Sequence, residues 1–187
     1  MEVATERFAL LGYRGTTTSH LASAAGVTEP ILYRHFKSKL NLFVTLVEEI
    51  GQRVIDGWRS ALEEVADPET RLKIVLAGNP STSTEERNAY RVIFHAMTEI
   101  DRDPEIAEPL KQHLGGLHKF LKSEIKRLQN VGAVRDDMTS DALAWLLMDV
   151  AVGYGMLSAL GLPGHSQTTG KRRTQEMLLT FLAEEPA

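Results

Sequence analysis

Cysteine is absent, which removes disulfide frameworks, thiolate nucleophiles and thiolate metal sites together. Strand signals are nearly missing as well, because no Val/Ile/Thr/Tyr alternation bounded by Asn-Gly turns occurs. There is no Gly-x-Ser-x-Gly elbow. The two glycines of "VGYGML" sit in an apolar run, without the later glycine or the preceding strand of a phosphate-binding loop. His113 and His118, five positions apart, fall about 140° apart around a helix and do not share a face for a metal. The chain is therefore expected to carry no catalytic set, no metal and no cofactor.

Two further absences bear on location. The opening "MEVATERFALLGYRG" has no basic start followed by an apolar stretch, so export is not expected and a cytoplasmic address is. Only residues 142–162, "ALAWLLMDVAVGYGMLSALGL", reach the length of a bilayer span. Asp149 near their middle, where a carboxylate in hydrocarbon costs about 2.5 kcal/mol or more, argues for a fully buried helix instead.

What is present is ordinary soluble composition: 43% hydrophobic and 25% charged residues over 187 positions, enough for one or two domains. The net charge of −4 is unevenly spread. Residues 1–47 carry five basic and three acidic groups, a surplus of +2, and the remainder carries −6. A basic head on an acidic body fits a nucleic-acid-binding module joined to a domain with another task.

The pattern is helical almost throughout. Helix-forming segments are expected from the start to about Leu11, where Gly12 stops the first, and from a Thr17 cap to about Ala25. A Thr28 cap followed by Pro30 opens the third, and a Ser38 cap opens a fourth reaching about Val65. Asp67 with Pro68 starts the fifth, and "AGNPSTST" reads as a loop. Ala89, Val92, Ile93, Ala96, Met97 and Ile100 form the apolar stripe of the sixth. The seventh, about Asp103 to Asn130, is expected to kink at Gly115-Gly116. The eighth spans about Ser140 to Leu160, "GLPGHSQTTG" is a second loop, and a ninth closes the chain.

Taking Gly26 as the ninth residue of a helix-turn-helix puts Thr18 first, Ala22 fifth, Val27 tenth and Leu32 fifteenth. The fifth position must be small where the helices cross, and the ninth must turn with positive φ. The second helix of such a unit projects its first residues into the major groove, making Thr28, Glu29, Pro30 and Ile31 groove-facing candidates with Tyr33 and Arg34 one turn on. Thr17 and Thr28 at helix N-termini, the Tyr33 hydroxyl, the His35 ring and the Lys37 and Lys39 ammonium groups suit phosphates, while Arg34 reaches a guanine edge or a phosphate. A packing role for Tyr33 stays open. Phe8, Leu21, Leu32, Phe36 and Leu42 are assigned to the small core beneath. Glu29 and Pro30 offer few donors to base edges, so shape and backbone contacts are expected to carry much of the reading.

The stretch "FALLGYRGTTTSHLASAAGVTEPILYRHFKSKLNLF" resembles the signature of the TetR family of transcriptional regulators, over about residues 4–46. Family members usually enter the first helix from a basic arm, and this chain begins inside that helix. The resemblance implies an all-α fold of about nine helices: a helix-turn-helix DNA-binding domain over 1–46 and a ligand-binding and dimerisation domain over 47–187. It implies that Thr17, Tyr33, His35 and Lys39 contact phosphates or order the groups that do. It also implies a homodimer on a palindromic operator, in most such proteins a repressor released by a small molecule.

A single short reading helix recognises too little DNA, so a two-fold pair is expected, its surface made by the apolar eighth helix and by Met177, Leu178, Phe181 and Leu182 of the ninth. Ala151, Gly153, Gly155 and Ala159 would permit close approach. The family places its effector cavity among the fourth to eighth helices. Trp58, Tyr90, Phe94, Met97, Trp145, Met148 and Asp149 are the candidates here, with Asp149 read as a buried carboxylate in need of a partner. Against each aromatic and Met stands plain core packing. The fourth helix, about 40 Å long at ~1.5 Å per residue, would act as lever between effector and head. Rival readings are a regulator answering to a protein partner, and a helical carrier or enzyme that has lost DNA binding.

Overall fold

The computed structural model describes residues 1–77, 84–158, 162–163, 165 and 169–183. Among these the chain forms nine α-helices, one 3-10 turn and no strand. They are α1 (Glu2–Gly15), α2 (Thr18–Ala24), α3 (Glu29–His35), α4 (Lys39–Leu62), α5 (Pro68–Ala77), α6 (Thr84–Glu99), the 3-10 turn Pro104–Ile106, α7 (Ala107–Gln129), α8 (Ser140–Ser158) and α9 (Thr169–Leu182). The loop expected over 78–84 lies outside the described residues apart from Thr84, as does most of the second loop.

The capping chemistry works largely as the sequence implies. Thr17 accepts from the His20 amide at 3.1 Å, and Ser38 accepts from the Asn41 amide at 3.0 Å while Asn41 reaches back to the Lys37 amide at 3.2 Å. Asp67 accepts from the Thr70 amide at 2.8 Å and from the Thr70 hydroxyl, and the hydroxyl first, then the amide, hold its carboxyl below the usual range. Three expectations are corrected. Thr28 occupies the N-cap of α3 with extended backbone but makes no side-chain cap bond. The fourth helix stops at Leu62, not Val65, which shortens it to about 36 Å at 1.5 Å per residue. The seventh runs unbroken through Gly115-Gly116. A Cβ on Gly116 would come within 3.0 Å of Ile55 Cδ1, so this glycine serves a close helix approach rather than a bend.

Packing divides the chain into two compact units, Met1–Val54 with Thr82–Leu114 and Ile55–Ser81 with Gly115–Ala187. The head is not closed at residue 46, because its core is shared. Phe8, Leu21, Leu42, Phe43 and Leu46 form one cluster with Ala89, Val92, Ile93 and Ala96 of α6 and with Ile106 and Leu110. Phe8, Tyr13 and Phe43 interlock, with Phe8 edge-on to Phe43 at 4.9 Å. Leu32 and Phe36 are half-buried against this cluster. In the α6 stripe Ala89, Val92, Ile93 and Ala96 are buried, Met97 is partly so, and Ile100 falls exposed beyond the helix end.

His113 of α7, 4% exposed, packs on Gly51 of α4 so tightly that a Cβ there would lie 2.9 Å from the His113 Cβ. Among the described residues neither ring nitrogen has a hydrogen-bond partner of good geometry, the Gly51 backbone offering at most a weak one. Burial lowers the imidazole below its ordinary 6.5, and the nearby Gly51 backbone only partly offsets this.

In the second unit Arg71 is the organising polar group, 5% exposed. Its guanidinium pairs side-on with Glu124 at 2.6 and 3.1 Å and donates to the carbonyls of Leu62 and Val65, both at 2.7 Å. It ties the end of α4 to α5 and α7. Gln129 holds the next connector through the Arg135 and Met138 carbonyls, at 2.9 and 2.8 Å.

The eighth helix is not fully buried, contrary to expectation. It is long and apolar enough to cross a membrane by length and composition alone, with one third of that window buried. Trp145, Met156 and Leu157 stand exposed, as do Met177 and Phe181 of α9.

Two outcomes follow from these packings. Arg71→Ala strands a buried carboxylate and is expected to cost about 3–5 kcal/mol in urea unfolding, with Glu124→Gln costing less because the guanidinium keeps its two carbonyls. For His113 the folded protein binds its proton less readily than the unfolded chain, so stability is lost as pH falls below 6.5. Melting curves between pH 7.5 and 5 should show a decline that is shallower in His113→Leu; equal declines would remove His113 as the cause.

Candidate nucleic-acid interface

The turn between α2 and α3 is a complete left-handed helix stop. Gly26 has φ 69°, the Val27 amide donates to Ala22 O at 2.9 Å, and the Gly26 amide donates to Ser23 O at 3.2 Å. These bonds satisfy carbonyls that the helix end would leave open, and they fix the angle at which the chain enters α3. A side chain at Gly26 would meet no atom within 4 Å, so its positive φ, not space, demands glycine.

The helix α3 has no buried residue. Thr28, Pro30, Ile31, Tyr33, Arg34 and His35 are exposed along it, with Lys37 just beyond and Thr17 at the cap of α2. The structure thus gathers nine of the ten DNA-contact candidates, Glu29 included, on or beside one helix. Glu29 is half-buried because its carboxylate turns towards α2, where the Thr18 hydroxyl donates to Oε2 at 2.6 Å. The Tyr33 hydroxyl donates to Thr18 Oγ1 at 3.5 Å, the long limit of a hydrogen bond. Tyr33 is 49% exposed, so its ring is not a core element.

Lys39 differs from the rest. Its ammonium donates to Tyr13 O at 2.9 Å and Thr16 O at 3.0 Å and lies 4.3 Å from the Tyr13 ring centroid. Partial burial pulls it below its usual 10.5, against the pull of the Asp103 and Glu99 carboxylates. It binds the end of α1, and its three donors are largely committed there.

The residues that sequence reasoning missed hold α1 in place. Gly12 (φ 68°, ψ 176°) breaks α1 internally, and its hydrogen-sized side faces His95 of α6, 3.4 Å from a Cβ built there. Thr16, fully buried, closes the break by donating to Gly12 O at 2.8 Å. Arg14 pairs with Glu99 at 3.0 Å. The Gly12 punctuation was visible in the sequence; its partner on α6 was not.

The effector candidates fall in both units. In the first, Tyr90 and Phe94 meet edge-on at 6.4 Å, and Met97 packs on the core. In the second, Trp58 stacks on Phe120 at 5.5 Å and Trp145 on His118 at 4.3 Å, with Met148 buried. Asp149 is exposed, which corrects its reading as a buried carboxylate: it lies on the α8 face that carries Trp145 and Met156, the three at i+4, i and i+11.

The contrast between the two lysines can be measured on duplex DNA. Lys37→Ala should reduce the magnitude of the salt slope by about 0.9 per head, as one phosphate contact is lost. Lys39→Ala should leave the slope unchanged and lower stability by about 1–3 kcal/mol. Equal slope changes would contradict the assignment.

The family described as "Bacterial regulatory proteins, tetR family" matches residues 1–46. The HTH-type transcriptional activator FasR of Mycolicibacterium smegmatis is 30% identical over 148 residues, covering 79% of this chain and 67% of FasR. A transcriptional regulator of Saccharomonospora viridis, solved in complex with choline, has the same fold with a TM-score of 0.87 at 22% identity, over 98% of this chain and 95% of that one. FadR of Bacillus subtilis, solved with stearoyl-CoA, follows at a TM-score of 0.77 and 16% identity, over 96% of each chain. A matching head, a relative similar well beyond that head, and a glycine-turned pair of helices with its second member laid bare lead to one assignment: the chain belongs to the TetR family of DNA-binding transcriptional regulators.

Proposed function

We propose that the protein acts in the cytoplasm as a homodimer that places its two α3 helices in successive major grooves of a palindromic operator and is released by a small molecule bound in the helical body. The carrying observation is α3 itself, a helix with nothing buried, flanked by exposed Arg34, His35 and Lys37. A helix so placed contributes little to the chain's own stability and is suited to face a partner. The partner's charge is set by those basic groups.

Dimerisation through α8 and α9 is supported by the exposed Trp145, Met156, Leu157, Met177 and Phe181, all in one compact unit. Monomeric soluble proteins rarely leave such apolar faces open. Effector response is supported by the stacked rings of Trp58 with Phe120, by the edge-on pair of Tyr90 with Phe94, and by relatives of the same fold solved with choline and with stearoyl-CoA. The fourth helix, continuous from the head into the second unit, is the covalent path for the signal. In this reading control is repression, the dimer occupying its promoter until the effector binds. No step is catalytic.

Fluorescence anisotropy on duplex from the region upstream of the protein's own gene tests the core of this reading. Saturable binding with a salt slope of several units is expected. Met177→Glu should convert the dimer to monomer in sedimentation and weaken operator binding by about 10²-fold or more, because the second half-site contact ceases to be intramolecular. Choline and stearoyl-CoA are the first release probes. A wild-type chain that stays monomeric at micromolar concentration would falsify the dimer.

A further inference from the structure

We infer that Glu29 is a base-reading residue that selects a cytosine in each half-site, with Thr18 as its positioning residue. The inference rests on the major-groove placement of α3 proposed above and adds a specificity element to it. Glu29 is the first residue of α3, among those that a reading helix brings closest to base edges. Pro30 has no amide hydrogen, and Ile31 offers only a hydrocarbon surface suited to a thymine methyl. The Glu29 carboxylate is thus the strongest hydrogen-bonding group on the first turn.

An anion at this place is a liability unless it accepts something. Phosphates on both sides of the groove repel it, and among the described residues no cationic side chain lies within ion-pairing distance of it. Major-groove donors are few: the N4 amino group of cytosine and the N6 amino group of adenine. Adenine sets the N7 lone pair beside its amino group, against the second carboxylate oxygen or its electron density. Cytosine sets only a C5 hydrogen there. A carboxylate therefore favours cytosine.

The geometry prepares the group for that contact. Thr18 donates to Oε2 at 2.6 Å, which restrains the side chain and leaves Oε1 as the acceptor still open. Thr18 opens α2, so the bond crosses the helix-turn-helix and holds the reader against the helix that lies along the DNA backbone. The Tyr33 hydroxyl, 3.5 Å from Thr18 Oγ1, stands behind the same group. A glutamate free to swing would lose side-chain entropy on contact; this one has lost part of it already.

Selection from randomised duplexes by the wild type, Glu29→Gln, Glu29→Ala and Thr18→Val tests the assignment, with melting temperatures confirming that each variant folds. The wild type should enrich a C·G pair at one fixed position of each half-site, and replacing that pair should weaken binding about tenfold. Glu29→Gln should move the preference at that position to adenine, whose N6 and N7 a carboxamide pairs with both its atoms. Glu29→Ala should make the position indifferent, and Thr18→Val should blunt its discrimination without changing the salt slope. Glu29→Ala retaining the full motif, or strengthening binding to every duplex alike, overturns the inference and leaves DNA binding standing. Failure of the wild type to enrich any duplex overturns both.

Discussion

The reading helix has no fully buried anchor of its own, and the rest of the head is organised by that fact. With no residue of α3 fully buried, its position is set by the partial burial of its own Leu32 and of Phe36 at its end, by the glycine stop at Gly26, and by the bond from Thr18 to Glu29. Burial of a large apolar side chain stabilises by about 1.5–3 kcal/mol, and α3 makes no full contribution of that kind. What it lacks in burial is supplied beneath it, where Phe8, Leu21, Leu42 and Phe43 are all at most 2% exposed. The exposed face is then free to be chosen for DNA and not for stability.

That foundation is made with α6, and the sequence hid this. Local signals were legible because their causes are local: a threonine or serine one residue before a helix, a proline in its first turn, a glycine where φ must be positive. The stripe on α6 was legible too, as a period. Its destination was not, since a stripe says that something will be covered and never by what. Ile100 shows the limit from the other side: the period predicts it inward, but α6 ends at Glu99 and Ile100 turns out to solvent.

Charged residues were the least legible. Lys39 reads as a residue that contacts phosphates or orders the groups that do, and which of the two it is depends on the Tyr13 and Thr16 carbonyls, within 3.0 Å of its ammonium and far from it in sequence. Arg71 sat unremarked in an ordinary helix, and its role depends on Glu124, 53 residues away. Asp149 failed in the opposite sense. An apolar run of sequence suggests burial on every side, but α8 in a single chain covers only part of its surface, and the carboxylate lies on the part left open. In each case the deciding quantity is a distance between segments that no spacing along the chain encodes.

The sharing of one core between head and α6 has a mechanical consequence. Close-packed interiors do not deform continuously, so a shift of α6 must either carry α1 with it or open voids against Phe8 and Ala9. The polar contacts along the same seam reinforce the first outcome: His95 lies against Gly12, 3.4 Å from where a Cβ would stand, and Glu99, only 8% exposed, holds Arg14. Since Lys39, the first residue of α4, bonds to the Tyr13 and Thr16 carbonyls, a moved α1 also moves the start of α4 and the turn behind α3. An effector that displaced α6 would therefore reach the reading helix without needing α4 to tilt at all, and the two routes differ in what they require. The lever needs a rigid α4, which Gly57 weakens by about 1 kcal/mol relative to alanine, whereas the α6 route needs only that the existing core stay packed.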